Sequence, residues 1–141
     1  MELEVREPQI VGGVDVGHQS LTSISLTDSD EYNTLMATTN ERIPIIVQFT
    51  SPKCKRCGIL KAEIASRFSD TDDMRWAIVD VFESVDLQMR LDVCKLPRFD
   101  VMCHGRVMAS LEAFDATIEK LELAVQEARK PSPTLEMSDD F

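Results

Sequence analysis

The sequence predicts an α/β fold, a central mixed β-sheet with helices on both faces. Two observations carry this. Short apolar runs of strand length first alternate with helical stretches, an order that requires crossover helices and parallel pairing. Two strands joined by a tight turn and a final amphipathic helix then add an antiparallel hairpin to the same sheet. The order read along the chain is β-α-β-α-β-α-β-β-α.

Each element has a local reason. Residues 23–26 alternate polar and apolar and suit a short strand. Thr27 reads as the N-cap of a helix to about Met36, with Asp28, Asp30 and Glu31 in its first turn. Residues 43–50 are rich in β-branched side chains and form the central strand, with Pro44 tolerated near its start. Leu60, Ile64 and Phe68 recur at helical spacing and place a helix over 57–68. Residues 75–82 read as a second buried strand, 85–93 as a short helix and 98–103 as a third strand. His104-Gly105 is a hairpin turn, and 106–111 is the returning strand. Asp115 is placed to cap the last helix, whose apolar face is Ile118, Leu121, Val125 and Ala128, and Pro131 stops it.

The bulk composition narrows the function. The 141 residues suffice for one domain with a real core, assigned to 21–130; 1–20 read as a flexible acidic arm and 131–141 as a disordered acidic tail. A hydrophobic share of 43 % with 28 % charged residues is that of a globular protein. The net charge of −10, from 15 basic and 25 acidic residues, speaks against nucleic acid or an anionic membrane as partner. No apolar run approaches the roughly 20 residues of a membrane span. Residues 1–7 resemble neither a signal peptide nor an Arg-rich transit peptide. Four cysteines without a secretory signal point to an intracellular, reducing compartment, the cytoplasm before an organelle matrix.

The chemistry concentrates where the central strand runs into Cys54-Lys55-Arg56-Cys57. A cysteine pair at a strand-to-helix junction faces unpaired backbone N–H groups and the positive end of the helix dipole, which favour a thiolate. Lys53, Lys55 and Arg56 add cationic neighbours. Cys54 is therefore expected to be a low-pKa thiol, and stabilising its thiolate makes the pair more oxidising.

These marks resemble the thioredoxin family over about residues 22–130. The resemblance rests on the strand leading into Cys54-x-x-Cys57, on Pro97 preceded by Leu96 and followed by a strand, on the hairpin turn at Gly105, and on Ala113 before the last helix. It implies a thioredoxin fold and a thiol–disulfide oxidoreductase acting on protein disulfides, with an upstream reductant. It implies that Cys54 attacks and Cys57 resolves, and that a cis Leu96–Pro97 bond holds the substrate backbone. The family pattern is altered at Lys53, Lys55 and Arg56, where Trp before the pair and Gly-Pro within it are usual. Gln48 replaces the family's buried acid, and its lysine partner falls near Ile78. An amide does not titrate near neutral pH, so weak general reductase activity is expected, and Gln48→Asp is expected to raise it. The alternative is a thioredoxin-fold chaperone-like or assembly-subunit protein, with the pair a redox switch or unused.

Three further readings concern the remaining groups. Cys94, three residues before Pro97, is either a regulatory thiol or an isolated one, and Cys103 reads as a buried small hydrophobe. No resident metal or cofactor is expected. The alternatives are zinc through Cys54 and Cys57, with Cys94, Cys103 or His104 completing a set, and an iron–sulfur cluster bridging two protomers through their Cys54 and Cys57 thiols. Lys53, Lys55, Arg56 and Arg98 are expected to form a positive patch that steers an acidic partner or an anionic thiol such as glutathione.

Overall fold

The structure, a computed structural model, describes residues 21–37, 43–69 and 73–130. The arm at 1–20 and the tail at 131–141 lie outside the described residues. Five strands and four α-helices follow in the expected order: β1 (Ser23–Leu26), α1 (Ser29–Ala37), β2 (Ile45–Thr50), α2 (Lys55–Arg67), β3 (Arg75–Asp80), α3 (Val85–Arg90), β4 (Arg98–Cys103), β5 (Arg106–Glu112) and α4 (Ile118–Arg129). A short 3-10 turn, Ala113–Asp115, joins β5 to α4.

The sheet runs β1-β3-β2-β4-β5. The β1–β3 and β3–β2 pairs are parallel, and β2–β4 and β4–β5 are antiparallel. β2 lies in the middle because every one of its first five residues is buried, a pattern only a strand covered on both faces can carry. Its alternate residues feed two cores. Ile46 joins Trp76, Phe99 and Val101 beneath the apolar faces of α2 and α4. Ile45, Val47 and Phe49 join Val79 and Met102 beneath Tyr32 and Leu35 of α1 and Leu87 of α3.

Four local expectations are corrected. The N-cap of α1 is Asp28, whose carboxylate accepts from the Glu31 N–H at 2.9 Å; Thr27 instead donates its N–H and hydroxyl back to Glu31. α4 is capped by Thr117, whose hydroxyl accepts from the Lys120 N–H. Asp115 belongs to the preceding turn and pairs with the Lys120 ammonium at 2.6 Å, which lowers its pKa. β3 ends at Asp80, since that carboxylate takes the Phe82 N–H and its carbonyl takes the N–H groups of Glu83 and Ser84. Phe82 therefore leaves the sheet and stands 58 % exposed. α3 stops at Arg90, where Asp92 turns into the left-handed region at φ 55°. At the hairpin, His104 and Gly105 both take positive φ, as a type I′ turn requires.

Candidate functional site

The site is built at the C-terminal end of β2. The chain turns at Ser51, whose carbonyl accepts from the Cys54 N–H, and α2 starts at Lys55. Cys54 is thus the N-cap of α2 rather than a residue ahead of it. Its Sγ accepts from the Cys57 N–H at 3.2 Å, one of the donors that a helix start leaves unpaired. Cys57 lies one turn into the helix with 1 % exposure, and the two cysteines form a disulfide across a Cα–Cα separation of 5.3 Å. The outer sulfur is reachable and the inner one is enclosed. Cys57 Sγ lies 3.9 Å from the Phe49 carbonyl oxygen.

Gln48 stands beneath the pair. It is buried, its amide nitrogen donates to the Cys57 carbonyl oxygen at 3.1 Å, and its own carbonyl oxygen accepts from the Trp76 indole at 3.2 Å. Ile78 is its register partner on β3, so no cation faces it from that position. The Leu96–Pro97 peptide bond is cis, and Pro97 is buried at the head of β4, next to the Arg98–Phe49 pair that closes the sheet here. Topology explains this convergence. β4 runs antiparallel to β2, so the start of β4 meets the end of β2.

The expected positive patch is only partly assembled. Arg98 turns away from the cysteines. Its guanidinium forms a two-pronged ion pair with Asp100 at 3.0 and 3.1 Å, reaches the carbonyl oxygens of Leu91 and Asp92, and lies over the Phe49 ring. The reason is strand periodicity. Residues two apart share a face, and Asp100 is itself buried with Ser110 donating to it at 2.7 Å. Arg56 is also committed, donating to the carbonyl oxygens of Ala113 and Ala116 at 2.9 Å each. Lys53 places its ammonium 5.6 Å over the Phe82 ring, and Lys55 extends into solvent. What remains is an open groove of about 460 Å³ lined by Lys53, Cys54, Lys55, Arg56, Leu96, Pro97, Ala113 and Phe114.

The other thiols are not brought to the pair. Cys94 is exposed on the α3–β4 loop, and the hydrogen bond it donates to Asp92 at 3.4 Å raises its pKa, with the Asp92 charge acting the same way. Cys103 is buried at the far end of β4, where desolvation raises its pKa. Among the described residues, no cluster of three or more His, Cys, Asp or Glu side chains is placed to hold a metal ion.

One residue of the groove, Phe114, was not singled out from sequence, whereas Ala113 was noted as the small residue before the last helix. Phe114 is 92 % exposed, and Ala113, with φ 53°, donates its N–H to the Pro97 carbonyl oxygen. The available signal was the single aromatic residue in the short connection between β5 and α4.

The thioredoxin family model matches residues 23–127. Similar solved structures include the oxidised mitochondrial thioredoxin 3 of Saccharomyces cerevisiae, at 20 % identity and a TM-score of 0.65, covering 74 % of this chain and 93 % of that one. The thioredoxin of Fasciola hepatica matches at 18 % and 0.67, covering 74 % and 98 %. A thioredoxin of Nicotiana alata matches at 18 % and 0.67, covering 84 % and 100 %. At these identities the likeness establishes the fold. No curated protein matches the chain. No helix among the described residues is long and apolar enough to cross a membrane.

Proposed function

The chain belongs to the thioredoxin family, and on that premise we propose that it is a thiol–disulfide oxidoreductase for protein disulfides, with slow turnover. The observation that carries the reading is the division of labour in the pair. Cys54 caps a helix N-terminus with the Cys57 N–H 3.2 Å from its sulfur, and Cys57 is enclosed one turn behind it.

In the reaction the Cys54 thiolate attacks one sulfur of a partner disulfide. A Cys54–partner S–S bond forms, the partner's S–S bond breaks, and its second sulfur leaves as a thiolate that water protonates. Cys57 then gives up its proton and attacks Cys54 Sγ. The Cys54–Cys57 disulfide forms and the partner leaves as a dithiol. The electron pair has moved from protein to partner, and an external dithiol must restore it. Pro97, beside Cys54, is the proposed rest for the partner backbone. The slow step is the second one, because the group beneath Cys57 is an amide that takes no proton. No resident cofactor enters this scheme, and a reducing compartment suits it.

Insulin reduction driven by dithiothreitol tests the reading. The wild-type chain should accelerate it and Cys54→Ser should not. Identical traces for the two would leave the alternative of a chaperone-like or assembly protein, which the amide at Gln48 favours.

A further inference from the structure

The groove beside Cys54 has two unlike walls. One carries Lys53 and Lys55, and Lys95 lies two residues before Pro97. The Lys55 and Lys95 ammonium groups have no hydrogen-bond or ion-pair partner among the described residues, and the Lys53 ammonium has only the face of the Phe82 ring. Two ammonium groups without a carboxylate partner, Lys53 and Lys55, lining one groove stand out in a chain of net charge −10. The other wall is apolar, made by Leu96, Pro97 and a Phe114 ring that is 92 % exposed. Arg56 fixes the position of that wall by holding the Ala113 and Ala116 carbonyl oxygens.

We propose that this groove selects disulfides carried by acidic protein segments, seating a carboxylate against Lys53 and Lys55 and an apolar side chain against Phe114. The inference rests on the oxidoreductase reading and names its substrate class. Charge complementarity specifies the first contact, since these ammonium groups have no carboxylate partner among the described residues. Phe114 separates a protein segment from glutathione. Glutathione brings carboxylates but no apolar side chain, so it leaves that ring in water.

The test uses two fluorescent peptides with serine in place of cysteine, so binding is read without redox chemistry. One carries Asp and Glu next to a Leu, the other Lys and Arg at the same places. The full chain should bind the acidic peptide about tenfold or more tightly, and the preference should shrink as salt rises. Lys53→Glu with Lys55→Glu should reverse the preference. Phe114→Ser should weaken the acidic peptide severalfold, with no effect once its Leu is replaced by Ser. Exchange with bis(2-hydroxyethyl) disulfide, small and neutral, is followed in parallel on the wild-type chain. Exchange without peptide preference overturns the substrate class and leaves the oxidoreductase reading standing. Preference without exchange supports the ligand class and overturns that reading. Loss of both overturns both. Glutathione disulfide that displaces the acidic peptide at equal concentration also overturns the assignment to a protein segment.

Discussion

The Arg56 guanidinium donates to the Ala113 carbonyl oxygen at 2.9 Å, and that contact ties the helix carrying Cys57 to the turn whose N–H reaches Pro97. A second bond to the Ala116 carbonyl, also 2.9 Å, makes the tie two-pronged. Arg56 is therefore a strut between α2 and the β5–α4 turn, which leaves Lys53 and Lys55 as the cations lining the groove without a carboxylate partner among the described residues. Arg56→Met should lower the unfolding free energy by about 1–2 kcal/mol, the loss of two hydrogen bonds from a charged donor at a part-exposed site. Arg56→Lys should recover only part of it, since an ammonium lacks the planar fork. Urea unfolding with an unchanged slope measures both, and a Met variant as stable as wild type would show that the strut bears no load.

Asp100 and Arg98 make a prediction of the same kind with a larger magnitude. The Arg98 side chain is 12 % exposed and that of Asp100 2 %, so neither charge has water to fall back on. Asp100→Asn leaves the largely buried guanidinium against a neutral amide, with the part-exposed Glu112 carboxylate at 3.8 Å as its remaining acid partner. The expected cost is on the order of 3 kcal/mol. Ser110→Ala removes one neutral donor to the same carboxylate and should cost about 1 kcal/mol. Thermal unfolding of the two variants checks the ranking, and a reversed order would mean that the ion pair is not what holds the start of β4.

These two struts also mark where the sequence stops being legible. The strand entering the cysteine pair, the helical spacing of Leu60, Ile64 and Phe68, and the hairpin at His104-Gly105 are local patterns, and local patterns are readable. The arrangement of Arg56 depends on Ala113, 57 residues away, which no window along the chain contains. Arg98 was read as an exposed cation because charge predicts exposure on average. Its spacing of two from Asp100 was the available sign that both share one strand face. At the start of α4, Thr117 and Asp115 are both good caps, and only the 3-10 turn over 113–115 decides between them. The place of Gln48 under Cys57 came from the family resemblance, in which this strand position holds a buried acid. Its second partner, Trp76, required the β2–β3 pairing.

Cys94 should be the slow thiol of this protein despite its exposure. The proton on its sulfur is shared with the Asp92 carboxylate, and a raised pKa means that less thiolate is present at neutral pH. The sign is definite. Labelling of Cys94 by iodoacetamide should lag behind a model thiol at neutral pH and catch up only in the alkaline range. Asp92→Asn removes the negative charge and should move that profile to lower pH. On mild oxidation, mass mapping should find Cys54–Cys57 linked and Cys94 free. A principal product containing Cys94 would contradict the assignment of the pair as the redox centre.

Gln48 offers the most direct test of why turnover should be slow. Its side chain bridges the Trp76 indole and the Cys57 carbonyl oxygen, so the position below the resolving thiol is already wired to that thiol's own residue. Gln48→Glu keeps the length of the side chain and the acceptor for Trp76. It replaces a donating amide with a group that can hold or release a proton. At 1 % exposure the carboxyl is desolvated, which favours its neutral form and pushes its titration upward, toward the range where a base works best. Protonated, it can still donate to the Cys57 carbonyl; ionised, it faces that oxygen without a donor. The expected stability cost is therefore about 1–3 kcal/mol, greatest at alkaline pH where the charged form is demanded. Gln48→Asp is one methylene shorter, gives up the reach to Trp76, and should cost more. A positioned general base is worth 10²–10⁴-fold where it is fully effective, so a gain of roughly tenfold or more in resolution of the mixed disulfide is expected for Gln48→Glu. Stopped-flow reduction of a model disulfide separates attack by Cys54 from release by Cys57. Acceleration confined to the second phase would identify the missing base, while equal rates in a folded variant would place the slow step elsewhere.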